Sequence, residues 1–216
     1  MINLFLAIVS SASLALIFRT TEARGYNRYA ITAVNYLAAV TTAIVIFVVD
    51  QAGVATAVPL DQRAPSIAAV GPALPLILAI GVPAGFLFFL SFVLYQRSVA
   101  DHGPGPAGMY GKLGVLVPMV LSIAVWREFP GPFQWLGLVL ALAAIVISQT
   151  GGRTPGLDRP ARPLLIALLL SMGFAEFSNK VYETYGDDRL RAFFLAILFT
   201  SALASAGVEV VRRGKR

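Results

Sequence analysis

Lys112, Glu176, Asn35 and Tyr36 carry polar side chains inside stretches that are otherwise almost wholly apolar. An ammonium at the centre of a membrane helix costs at least ~2.5 kcal/mol, so it is kept mainly where it faces a cavity or a partner. In that position Lys112 would be the binding cation for an anionic or zwitterionic solute. The alternative is snorkelling, since Lys112 lies about five residues, or ~8 Å, into its run and a lysine stem reaches back most of that way. A Lys112 to Glu176 ion pair is opposed by depth, because Glu176 lies ~12 Å further in from the same face. Lys180, four residues on, is the local partner for Glu176. Asn35 and Tyr36 place an amide and a phenol at membrane depth; both are read first as hydrogen-bonding groups between helices and second as solute ligands.

A second set of residues shapes the backbone. Gly81-x-x-x-Gly85 around Pro83 reads first as close helix packing or a kink and second as a hinge, and Pro118 falls in the middle of an apolar run. Glu128 lies in a short polar turn, where its carboxylate is expected to accept hydrogen bonds from the first N–H groups of the next helix. Gly103-x-Gly105-x-x-Gly108 matches a dinucleotide fingerprint in letters only: it follows an apolar helix and not a strand, and it puts prolines where backbone donors are needed. His102 beside Asp101 reads as a solvated loop pair before a proton relay. The chain has no cysteine and one histidine, so no metal cluster is expected, and no Ser/His/Asp or paired-carboxylate set can be assembled at matching depth. Neither a cofactor nor an enzymatic activity is expected.

The elements that must position these residues are long. Of 216 residues 57% are hydrophobic and 13% charged, against about 25% charged in a soluble domain. The fold class expected is all-α, a polytopic helical membrane protein with about seven transmembrane helices. The apolar runs lie near 2–18, 29–49, 73–95, 107–126, 133–149, 163–179 and 190–211. They are continuously apolar, which excludes the alternating segments of a β-barrel. The first lacks a basic leading segment and reads as a retained helix. The fourth and fifth form a hairpin through the turn Arg127-Glu128-Phe129-Pro130-Gly131-Pro132. The net charge of +6 sits between the runs as a topology signal and not along one stripe, so no nucleic acid is implied and membrane lipid is the surrounding partner. The Lys and Arg count places the C-terminal tail in the cytoplasm and the N-terminus outside.

A shift of 161 positions brings Ser10 onto Ser171, Arg19 onto Lys180, Glu22 onto Glu183, Gly25 onto Gly186 and Arg28 onto Arg189. Five runs then make one repeat, and an odd number inverts the second copy across the membrane. The expected organisation is a five-helix repeat over 1–150, a linker over 151–162, and over 163–216 the first two helices of a second, inverted and incomplete repeat. Such a chain is expected to be truncated or reduced and to associate, as a homo-oligomer or with a fragment that supplies the absent helices.

The stretch Lys112-Leu113-Gly114-Val115-Leu116-Val117-Pro118, followed by Glu128, Gln134 and Gly137, resembles the EamA-type permeases of the drug/metabolite transporter superfamily. Asn35 and Tyr36 match a branch that pairs a lysine before the proline with an Asn-Tyr in the second helix. The resemblance implies a multi-pass inner-membrane carrier of inverted five-helix repeats, moving a small-molecule solute by alternating access through a central cavity, with a proton as a candidate coupling ion. It also implies a cytoplasmic N-terminus, opposite to the charge count. A membrane scaffold or assembly protein that moves no solute is the second reading, and a membrane-embedded enzyme the third.

Overall fold

The computed structural model describes residues 27–51, 67–150 and 162–214, with Ser13, Ile17 and Thr20 besides. Every element among them is helical: α1 (Arg28–Gln51), α2 (Ile67–His102), α3 (Pro104–Leu113), α4 (Leu116–Trp126), α5 (Pro132–Thr150), α6 (Arg162–Tyr185), a 3-10 turn Asp188–Leu190, and α7 (Arg191–Gly214). Five segments are long and apolar enough to span a membrane: Tyr29–Asp50, Val70–His102, Pro104–Trp126, Pro163–Tyr185 and Asp188–Arg212. The chain is thus an all-helical membrane protein, its α1 exposing Val34, Leu37, Ile44, Val45 and Val48 as only a lipid-facing helix can without loss. Five of the seven expected spans are thus found among the described residues. The first expected run, 2–18, lies outside the described residues apart from Ser13 and Ile17. The fifth folds as the 19-residue α5, which is not one of the five. The expected linker lies outside the described residues save Arg162.

Helix boundaries follow local chemistry. Asn27 caps α1, its Oδ1 accepting from the N–H groups of Tyr29 at 3.0 Å and Ala30 at 3.4 Å. Within α1 the hydroxyls of Thr41 and Thr42 donate to the carbonyls of Leu37 and Ala38 at 2.9 Å, satisfying themselves without another helix. The 36-residue α2 outruns its apolar stretch at both ends and holds Pro72, Pro75 and Pro83 inside it; at ~54 Å it is far longer than a ~30 Å hydrocarbon layer requires. Of Gly103-Pro104-Gly105-Pro106, only Gly103 interrupts the helix, at φ 82°. Pro104 opens α3, since a proline at the first helical position gives up an N–H that has no partner there anyway. Gly105 and Gly108 therefore lie in a helix, which removes the phosphate-loop reading of these glycines. At the start of α5, Gln134 Oε1 accepts from the Gly131 N–H at 2.8 Å, one arm of a capping box.

The described chain gathers into two compact units. One takes in Leu94–Gly173; the other joins residues 27–93 to those from Phe174 onward. In the second unit α1 and α7 run antiparallel: Tyr36 meets Phe199 with ring centroids 6.1 Å apart, and Phe47, further along α1, meets Phe193, further back on α7, at 5.3 Å. Its core is Ile77 and Ala84 of α2 with Tyr182, Leu190, Phe194 and Leu198, the Tyr182 ring stacked on Phe194 at 3.9 Å. Gly85 lets α2 touch α7, because a Cβ there would overlap the Leu198 carbonyl oxygen and stand 2.7 Å from Ser201 Cβ. Ser201 Oγ then donates to the Val82 carbonyl at 2.9 Å. The Gly81-x-x-x-Gly85 pair is thus a close-packing device on α7, tight at Gly85 and looser at Gly81, where a Cβ would reach Ile197 Cγ2 at 3.3 Å.

The turn between α6 and α7 is held from both sides. Tyr182 Oη donates to the Asp187 carbonyl at 3.0 Å. The Asp187 carboxylate accepts from the Arg189 N–H at 3.0 Å and from the Arg189 guanidinium at 3.1 and 3.2 Å. That guanidinium holds the Asp187 carboxyl below its usual range.

Two predictions arise here. Gly85→Ala is expected to destabilise the protein by ~1–3 kcal/mol because two backbones must part, whereas Gly137→Ala, with nothing within 4 Å of its Cβ, should stabilise α5 by ~0.5–1 kcal/mol; thermal unfolding in one detergent checks the opposite signs. For Asp187, a lowered folded-state pKa means a contribution present above the unfolded carboxylate value and lost as pH falls through the folded one. Wild type should therefore exceed Asp187→Asn in stability at neutral pH, with the gap closing below about pH 4, as read from melting temperatures across pH.

Candidate functional site

The most informative site geometry is a helix interruption in the middle of an apolar span. Pro118 has no N–H to give to the Gly114 carbonyl four residues back, and its ring crowds that carbonyl. The chain responds by tightening. Val117 N–H donates to Gly114 O at 3.0 Å, Gly114 N–H to Gly111 O at 3.2 Å and Val115 N–H to Lys112 O at 3.3 Å, all three spaced i to i−3. The result divides the segment into α3 and α4 at Gly114 and Val115, and Val115 is the middle residue of the span Pro104–Trp126.

Gly114 also meets α6. A Cβ on Gly114 would stand 3.1 Å from the Gly173 nitrogen, and a Cβ on Gly173 would stand 2.5 Å from Val117 Cβ and 2.7 Å from the Gly114 carbonyl oxygen. Two glycines face each other at the interruption, and no larger residue fits at Gly173. Two residues before Gly173, Ser171 is buried, its hydroxyl donating to the Leu168 carbonyl at 3.1 Å. Neither Gly114 nor Gly173 stands out in the sequence, because contact between residues 59 positions apart leaves no local pattern.

Lys112 is exposed beside this interruption and makes no hydrogen bond or ion pair among the described residues. It lies eight residues from Pro104, ~12 Å along the helix, deeper than the five residues expected because α3 starts earlier. That distance exceeds the reach of a lysine stem and weakens the snorkelling alternative. Glu176 belongs to the other unit, on α6, and is exposed. It forms no ion pair among the described residues, so the expected bridge to Lys180 is not made. Pro118 is half-buried and Pro83 exposed, while Glu128 is exposed in the turn before α5. There Arg127 caps α4 in the left-handed conformation at φ 58°, its N–H bonded to Ile123 O at 3.0 Å.

The expectation of interhelical hydrogen bonds from Asn35 and Tyr36 is not met. Neighbouring positions on a helix point about 100° apart, and here Asn35 is half-buried with no partner among the described residues while Tyr36 is 2% exposed. The Tyr36 ring lies 5.6 Å from Phe92 and beside Phe199, and its buried hydroxyl has no hydrogen-bond partner among the described residues. His102 departs from the loop-pair reading as well. Asp101 pairs with Arg97 at 3.7 Å on the exposed side of α2, whereas His102 turns its Nδ1 inward. Among the described residues no group of three acidic, His or Cys side chains could hold a metal ion.

Leaving a phenol buried without a partner costs ~1–3 kcal/mol. Tyr36→Phe, which keeps the ring and removes the oxygen, is therefore expected to raise the melting temperature of the solute-free protein, by an amount equivalent to ~1 kcal/mol or more. A lower melting temperature would mean that the hydroxyl is bonded in the folded protein. Comparison with protein-family models, with characterised proteins and with solved structures finds no match to this chain.

Proposed function

We propose that this chain is a membrane permease that moves a small anionic or zwitterionic solute by alternating access, with Lys112 as the binding cation. The observation that carries the reading is the helix interruption at the midpoint of the span Pro104–Trp126, beside an unpaired ammonium and packed on α6 through Gly114 and Gly173. Carriers commonly bind solutes near the midplane at discontinuous helices, where freed backbone groups and a lone charge serve the solute and the joint can bend. A lipid-anchored scaffold has no use for an unpaired ammonium ~12 Å into an apolar span.

The resemblance to EamA-type drug/metabolite permeases belongs to the same proposal, as do an inner-membrane location, proton coupling and the inverted repeat. The repeat is supported by α1 and α7, which the 161-residue shift relates. Both are 24 residues long, both follow an Asn or Asp that caps a turn, and they pack antiparallel. Four of its five landmark positions in the first copy lie outside the described residues. Asn35 and Glu176 are the further solute contacts proposed.

Proteoliposomes loaded with a mixture of carboxylate and zwitterionic metabolites test the reading by counterflow. Lys112→Met should reduce uptake roughly tenfold or more, since a charge-assisted bond to an anion is worth ~1.5–3 kcal/mol, and Lys112→Arg should retain more than Lys112→Met. Absence of flux in every form, with normal folding, would favour the scaffold.

A further inference from the structure

Both tryptophans of the chain flank one turn. Trp126 ends α4 and Trp135 lies in the first turn of α5, and between them runs Arg127-Glu128-Phe129-Pro130-Gly131-Pro132, all within the unit Leu94–Gly173. Indole rings collect at the level of lipid headgroups, and Trp126 is also the last residue of the span Pro104–Trp126, so the turn stands at a membrane boundary. Its apolar side chains are not folded away: Phe129 is 74% and Phe133 87% exposed. In water both rings would forfeit the gain of burial, which acyl chains beside the headgroups restore. Leu136, Val139 and Leu140 continue the exposed apolar surface along α5.

Arg127 occupies a backbone position that ordinarily goes to another residue. At φ 58° it lies in the left-handed region, where glycine is the usual helix terminator and a side chain carries a steric cost. Its N–H is taken by the Ile123 carbonyl. Its guanidinium is exposed, is the only cation of the turn, and makes no hydrogen bond or ion pair among the described residues. The neighbouring Glu128 has an interaction of its own and is not its partner. A planar fork of N–H donors at headgroup level is the complement of a phosphate, which it can hold through two parallel hydrogen bonds.

We infer that this turn binds an anionic phospholipid, with the phosphate on Arg127 and the acyl chains against Phe129 and Phe133. A single exposed guanidinium holds a dissolved anion weakly, because water and salt screen it. The two rings add apolar contact that only a molecule with chains completes. Phosphatidylglycerol fits better than phosphatidylcholine, whose choline sets a cation of its own beside the phosphate. The inference stands whether or not the chain carries solutes.

With tryptophan only at 126 and 135, quenching of indole emission reports lipid at this turn and nowhere else. The full chain in phosphatidylcholine vesicles is given increasing fractions of phosphatidylglycerol brominated on its acyl chains or, in parallel, of phosphatidylcholine brominated in the same way. The expected result is a roughly fivefold preference for phosphatidylglycerol, since one arginine near a membrane surface is worth about that ratio toward anionic lipid. Arg127→Gln and Arg127→Gly should both bring the two lipids to parity. The glycine variant suits the left-handed backbone and decides the matter should Arg127→Gln not fold. Equal quenching by the two lipids in the wild type, or a preference retained in the variants, would overturn the inference. So would emission restored by inorganic phosphate, which would put a free anion on Arg127, or indoles that neither lipid reaches, which would mean that protein covers the turn.

Discussion

A carbonyl that loses its donor inside hydrocarbon has no water to turn to, and the Gly114 carbonyl, deprived by Pro118, is the point on which the described site depends. Its answer, a bond from Val117 at 3.0 Å, preserves satisfaction at the cost of helix geometry. The tighter turn separates α3 from α4, and it does so where α6 comes nearest, at Gly173. The interruption and the glycine contact belong together: a side chain at Gly173 would push α6 away from Gly114 and Val117.

The same economy governs the other unit. Lipid tails are as apolar as leucine, so helices there gain little by hiding apolar surface from one another and must gain by close approach and hydrogen bonds. Gly85 supplies the approach and Ser201, donating to Val82, the hydrogen bond. Aromatic rings fill what remains, with Tyr36, Phe88, Phe92 and Phe199 around α1, α2 and α7 and the Tyr182–Phe194 stack next to the turn that Asp187 closes. The apolar faces left outside, such as that of α1, cost nothing in a bilayer.

How much of this could be read in the sequence depends on the range of the interaction. Continuous apolarity is a property of composition, and it pointed correctly to membrane helices. Helix ends were less legible. Pro72 lies inside α2 and Pro104 opens α3, because proline is tolerated near a helix start and in spans whose freed carbonyls find other donors. The cap on α5 from Gln134 is not marked by charge, since a neutral amide three residues past Gly131 supplies it. For the site, Lys112 and Pro118 were legible as anomalies in their run. The Gly114–Gly173 contact and the inward turn of His102 were not, being set by which helices meet. The Glu176 to Lys180 bridge failed for the opposite reason: correct spacing permits an exposed pair, but its small worth does not compel two long side chains to form it.

Tyr36 Oη, Ser98 Oγ and His102 Nδ1 are among the buried polar atoms that have no hydrogen-bond partner among the described residues, and their surroundings differ. The Tyr36 ring packs against Phe92 and Phe199, so the ring supplies the packing and the buried oxygen is carried along. Ser98 Oγ and His102 Nδ1 lie one turn apart on one face of α2. An orphaned atom beside large apolar groups is a packing cost, and one that Tyr36 pays for a well-fitting ring.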